Sequence, residues 1–215
     1  MNNQGPNGGA IRVRAGWVKV TQSTLTNNRA TSGNGGGGFV RVESGQTFAE
    51  LDFMHATVAR NTASGQGGGI FNDSTASATT RINASVIVLN TSGSNNVLDD
   101  LRGVIPDTSL AFHDGKNKNL FTSLPSNPRP LGYDSSLDMI TTNPKIGNVA
   151  NNGGPTQTIA LQSGSPAIDA GLDSHVPNDP SNEHSFDLIM FPADQRGFPA
   201  PKPAHGKHDL GAFEF

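Results

Sequence analysis

Short runs of alternating apolar and polar residues recur through the first hundred positions, each bounded by Gly, Asn or Ser. Ile11 and Val13, then Val18 and Val20, then Leu25 form one series. Val40 and Val42, then Phe48, Leu51 and Phe53, then Val58 form a second. A third carries Ile82 and the continuous run Val86-Ile87-Val88-Leu89. A period of two puts successive side chains on opposite faces of a strand, so each run predicts a short strand with one face inward. The Gly, Asn and Ser clusters between runs predict turns.

The series repeat as blocks. Glycine pairs open them at Gly8-Gly9, Gly37-Gly38 and Gly68-Gly69, and Asn28, Asn61 and Asn90 lie near their ends. The spacing is 29 residues from Gly9 to Gly38 and 31 from Gly38 to Gly69. Repeats of this length indicate stacked supersecondary units, here one turn of a β-solenoid each. An offset of 29 sets Ile11 under Val40, Val13 under Val42, Arg12 under Arg41 and Arg14 under Glu43. The three asparagines occupy equivalent corners, where Asn tolerates left-handed backbone and can bond to the next turn. The expected fold is all-β: a parallel β-helix of three to four coils. It occupies residues 1–135, the last coil degenerate, and a Pro- and Gly-rich C-terminal capping module occupies 136–215.

Composition narrows the function. Hydrophobic residues, with Gly left out, make up 33% of the 215, against the roughly 45–50% apolar usage of globular domains in which Gly is counted. A narrow solenoid needs few large core residues per turn. Net charge is −3 and the basic residues form no run, which argues against a nucleic-acid partner. No cysteine is present, which removes disulfides, thiolate metal sites and cysteine nucleophiles. No apolar stretch approaches the ~20 residues of a membrane span. The polar start Met1-Asn2-Asn3-Gln4 runs straight into the first glycine corner, so the chain reads as a fragment of a longer exported protein.

Two resemblances follow from particular residues. Gly8-Gly9-Ala10-Ile11 with Asn28 later in the coil resembles the repeat of the polymorphic outer-membrane proteins, with Leu25 where that family has an aromatic. The set Asn152-Gly153-Gly154-Pro155-Thr156, Gly164-Ser165-Pro166-Ala167-Ile168-Asp169-Ala170-Gly171, Asp194-Gln195-Arg196-Gly197 and Asp209-Leu210-Gly211-Ala212-Phe213-Glu214 resembles the choice-of-anchor Q domain of bacterial β-helix surface proteins. That resemblance covers about residues 140–215. It implies a right-handed β-helix and a secreted or cell-surface location, and carries no agreed activity.

Candidate chemistry concentrates in the C-terminal module. Asp169, Asp173, Asp194 and Asp209 are candidate ligands for Ca2+, which takes six to eight oxygens. The competing reading gives Asp194 and Arg196 a local turn and ion pair, and makes Asp169 a strand-end cap. His205 and His208 with Asp209 have a zinc-like spacing on a Pro-rich loop that reads equally as solvated. His175 and His184 flank Asp179, Glu183 and Asp187 in an acidic loop or surface insertion. On the solenoid, Asp52, Asp73, Asp99 and Asp100 form no stacked pair, and no Gly-x-Ser-x-Gly nucleophile motif occurs. No catalytic set is evident. The first functional expectation is a secreted or surface-displayed module for adhesion or glycan binding. The second is a calcium-dependent hydrolase or lyase acting on a carbohydrate or a small ester or lactone. A single Trp and a single Tyr offer little for sugar stacking.

Overall fold

The computed structural model describes residues 1–73, 77–103, 118–125, 135–136, 138–171, 193–197 and 207–215, and the backbone of 110–112. Among them there is no helix, and so none long and apolar enough to cross a membrane. The chain forms a β-solenoid of about three turns, with strands of successive turns pairing in parallel. The first turn contains β2 (Ile11–Val13), β3 (Gly16–Thr21), β4 (Thr24–Thr26) and β5 (Arg29–Ala30), preceded by β1 (Gln4–Gly5). The second contains β6 (Gly38–Val40), β7 (Ala49–Met54), β8 (Thr57–Ala59) and β9 (Thr62–Ala63). The third contains β10 (Ile70–Asn72), β11 (Ala78–Asn83), β12 (Val86–Val88) and β13 (Thr91–Ser92).

Four sheets run along the stack. Sheet A stacks β1, β5, β9 and β13, with β14 (Val97–Leu98) added antiparallel. Sheet B stacks β2, β6, β10 and β15 (Leu101–Gly103). Sheet C stacks β3, β7, β11 and β16 (Leu110–Phe112), and sheet D stacks β4, β8, β12, β17 (Leu120–Phe121) and β18 (Met139–Ile140). β19 (Ile146–Ala150) and β20 (Thr158–Leu161) make a separate antiparallel pair.

The register corrects the uniform offset of 29. Val13 stacks on Val40 and Arg12 on Phe39, an offset of 27, while sheets C and D shift by 33 between the same two turns. From the second to the third turn those sheets do shift by 29. The loop after β6 is longer than the loop after β2, so the strands stay aligned while the sequence spacing varies. Arg12 therefore lies over the Phe39 ring at 5.7 Å, and that ring stacks on Phe71 at 5.8 Å. Arg41 pairs with Asp73 instead, whereas the expected Arg14–Glu43 contact forms at 2.9 Å.

The interior is an apolar column of Val13, Val20, Val40, Leu51, Phe53, Val58, Ile70, Ile82, Ile87 and Phe121. Asn28, Asn61 and Asn90 stand beside it as a buried ladder. Each asparagine Oδ1 accepts the backbone N–H and the Nδ2 of its counterpart one turn earlier. The distances are 2.9 and 2.8 Å from Asn28 to Asn61, and 3.0 and 2.9 Å from Asn61 to Asn90. The left-handed residues are the ones just before them, Asn27, Arg60 and Leu89, with a second set at Gln22, His55 and Ala84. The asparagines thus serve the ladder, and their neighbours make the corner. Gly36 is needed because a Cβ there would collide with the backbone of the next turn.

Sheet D is covered on both faces. Val58 and Ile87 point into the column, while Ala59, Val86, Val88 and Leu120 pack against Ile146, Ile159, Leu161, Ala167 and Leu210. This second cluster explains the unbroken run Val86-Ile87-Val88, since a strand buried on both sides has no polar alternate. The last segment is held to sheet D by Gly211 N–H to the Ala84 carbonyl at 2.9 Å and by Ala212 N–H to Thr57 Oγ1 at 3.1 Å.

Candidate functional site

Two groups of ionisable side chains stand out, one in the C-terminal module and one on the outer face of sheet C.

In the C-terminal module, residues of the four sequence motifs meet in one place. Asp194 accepts the Arg196 N–H at 2.8 Å through Oδ1 and the Arg196 Nε–H at 2.6 Å through Oδ2. Arg196 also donates to the Glu214 carbonyl at 2.7 Å and lies 3.9 Å from the Phe213 ring centroid. Asp209 accepts Asp169 N–H at 2.7 Å and Phe215 N–H at 2.6 Å, one on each oxygen. Burial and the neighbouring Asp209, Asp194 and Asp169 push the Glu214 carboxyl up to about 8, and burial raises Asp209. His208 Nδ1 lies 3.5 Å from Glu214. The oxygens of Asp194 and Asp209 are thus spent on N–H groups that tie three chain segments together. Among the described residues no group of three or more His, Asp or Glu is placed to hold a metal. Asp173, His175, Asp179, Glu183, His184, Asp187 and His205 lie outside the described residues.

On the solenoid, Asp73 pairs with Arg41. Asp99 is bonded by Gly67 N–H, Ser92 Oγ and Arg102 Nε, and Asp100 ends the asparagine ladder. Asp52 is different. Its partner is Glu50, two positions back on β7 and therefore on the same face. Leu51 and Phe53 point inward, so Glu50 and Asp52 point outward. Arg81, in register with Asp52 on β11, contacts Glu50 and lies 3.7 Å from Asp52 Oδ2. Burial and the hydrogen-bonded Glu50 carboxyl push Asp52 up to about 8, so Asp52 holds a proton at neutral pH. Its Oδ1 is buried and unpartnered, as are both amide atoms of Asn83, one row further along the same face.

The face opens at the first turn. Trp17, in register with Glu50, is 59% exposed, and Lys19, in register with Asp52, is exposed. Phe48 immediately precedes β7, accepts the Gly16 N–H at 3.0 Å and is 40% exposed. An exposed aromatic edge thus borders a largely buried carboxyl–guanidinium pair. The sequence pattern hides this because Glu50 and Asp52 sit on one strand, while Trp17, Glu50 and Arg81 come from three turns whose alignment requires the true register.

No family model, curated protein or solved structure matches the chain.

Proposed function

We propose that the chain is a secreted or surface-displayed β-solenoid module that binds glycans and performs no chemistry of its own, built like the choice-of-anchor Q surface proteins it resembles. The observation that carries this reading is the exposed Trp17 ring, with Phe48 close by, on the outer face of sheet C beside Glu50 and Lys19. A sugar has one apolar face and a rim of hydroxyls, and an aromatic ring flanked by donors and acceptors complements both. The hydrolase reading is weaker. Glu50 and Asp52 are in hydrogen-bond contact, closer than the ~5–5.5 Å between the carboxyls of a retaining glycosidase or the wider gap of an inverting one. Calcium at Asp169, Asp173, Asp194 and Asp209 belongs to that second reading, and the engaged oxygens of Asp194 and Asp209 weigh against it.

Trp17 is the only tryptophan, so its emission reports this face directly. Titration with a panel of oligosaccharides is expected to change the emission saturably for at least one of them, with no release of reducing ends. Unchanged emission with every sugar overturns the glycan reading. Turnover of any of them overturns the claim of no chemistry.

A further inference from the structure

We propose that the edge of the first turn is an interaction surface, to which an extended segment of a partner protein adds as a parallel β-strand that alternates apolar and acidic residues. The surface is the backbone edge of β3, so this stands apart from the glycan reading. Among the described residues β2, β3 and β4 are the last strands of sheets B, C and D on that side. Gly16 and Gln22 donate their N–H groups to the Phe48 and Met54 carbonyls of the second turn, at 3.0 and 3.1 Å. Alternate residues of a strand in a parallel sheet bond to opposite neighbours, so the N–H groups of Trp17 and Thr21 turn to the other side. Val18, in register with the inward Leu51, is 36% exposed there, and Ile11 and Leu25 are only partly buried. An edge of this kind is a template for strand addition.

Residues 2–5 show that the edge takes a strand in this direction and register. β1 pairs in parallel with β5. Asn2 has the left-handed backbone of the corner residues Asn27 and Arg60, and its N–H reaches the Thr26 carbonyl at 3.3 Å. Asn3 takes the next seat in the asparagine ladder, donating its N–H and its Nδ2 to Asn28 Oδ1 at 3.0 and 3.1 Å. One corner of a further coil is therefore in place over sheet A, and the seats beside it over β2, β3 and β4 are the ones the partner segment fills.

Charge selects the partner. Residues 1–42 contain five basic residues and no Asp or Glu. The second turn answers them with acids: Glu43 pairs with Arg14 at 2.9 Å, and Glu50 and Asp52 alternate with Ala49, Leu51 and Phe53 along β7. A strand on the opposite side of β3 meets the same first turn, so the same alternation suits it. Two copies of this chain stacked edge to edge would instead bring two turns without a carboxylate together, and like charges brought together disfavour that pairing.

The test uses the full chain at pH 7 and a labelled synthetic peptide with the sequence of residues 47–56, read by fluorescence anisotropy. The same peptide with Glu50→Lys and Asp52→Lys is expected to bind at least tenfold more weakly. Two further peptides carry backbone N-methyl groups on alternate residues, one set on each parity. Only one of them is expected to lose binding, because only one row of N–H groups faces β3. Hydrogen exchange at the Trp17 and Thr21 amides is expected to slow at least tenfold in the saturated complex. No binding of the acidic peptide overturns the proposal, as do equal binding of the lysine peptide, equal loss for both methylated peptides, or unchanged exchange at Trp17. Protection of Trp17 that grows with protein concentration in the absence of peptide overturns it in favour of a second copy. All of these results leave the sugar titration untouched.

Discussion

Asn90 donates its backbone N–H and its Nδ2 to Asp100 Oδ1, at 3.0 and 2.9 Å, and with these two bonds the asparagine ladder ends on a carboxylate. A ladder asparagine must accept from one side and donate to the other. The terminal residue has only donors around it. Asp100 Oδ2 receives Thr122 N–H and Oγ1 at 2.7 Å each, and Ser123 N–H at 2.8 Å. The second corner follows the same rule, with Asn119 donating its N–H and its Nδ2 to Asp138 Oδ1 at 3.1 Å each.

The chemistry of the ladder gives opposite rules for its middle and its end. Asp100→Asn points an NH2 at donors, and Asn61→Asp points a carboxylate oxygen at the Asn90 side-chain Oδ1. Each leaves buried groups unsatisfied at about 1–3 kcal/mol apiece. For a chain of this size, where 1 kcal/mol shifts the melting temperature by roughly 2–4 °C, both variants are expected to melt at least ~4 °C below the parent. Thermal melts followed by circular dichroism check this. A parent-like melt for either variant contradicts the assigned donor direction.

Asp52 governs part of the pH dependence. Its carboxyl sits at about 8 in the folded chain against an ordinary 3.8, so between those values the folded state holds a proton that the unfolded state releases. Stability from this group is complete below about pH 4 and is lost as pH rises through 8. Asp100, raised to about 6, and Glu214, raised to about 8, slope the same way. Asp52→Asn keeps a donor toward Glu50 and carries no charge. It is expected to melt close to the parent at about pH 4 and increasingly above it as the pH rises through 6 to 8. An unchanged difference between the two proteins across that range removes the protonated Asp52.

Much of the scaffold was legible in the chain because it rests on residue types with few alternatives. Asn28, Asn61 and Asn90 were marked by position, Arg14 and Glu43 by charge, and the strands by alternation. What was not legible depends on loop length and on neighbours from other turns. A loop of different length between β6 and β7 changes the offset from 27 to 33 within one turn, and no local pattern records that. Leu89 and Ala84 take left-handed backbone, φ 57 and 47°, at corners where sequence favours Asn or Gly, because the stacked neighbours hold them there. Glu50 drew no notice because its meaning comes from Trp17 on one side and Arg81 on the other.

The bonds at Asp194 and Asp209 predict a structural role that does not need calcium. Asp194→Ala removes the acceptor of the Arg196 N–H and Nε–H, and Asp209→Ala strands two N–H groups. Both are expected to lower the melting temperature by several degrees, at about 1–3 kcal/mol per unsatisfied buried group. A chelator is expected to leave the parent melt in place. A drop with chelator, restored by calcium, would assign these carboxylates to a bound ion.

The docking of the last segment turns on Gly211. Its φ is +92°, and a Cβ there would stand 2.7 Å from Thr57 Oγ1 and 3.1 Å from Val86 Cγ2. Thr57 and Val86 lie on adjacent strands of sheet D and have no room to retreat, since Val58 and Ile87 beside them fill the interior. Gly211→Ala therefore combines a left-handed backbone, costly for a residue with a side chain, with a direct clash. The expected consequence is local: residues 207–215 leave sheet D, and the Gly211–Ala84 and Ala212–Thr57 bonds are lost. Hydrogen exchange at Gly211 and Ala212 should accelerate, while Val58 and Ile87 keep their protection. Faster exchange throughout the solenoid would instead show that the last segment and the coils unfold as one unit, and unchanged exchange at Gly211 would show that the contact is not tight.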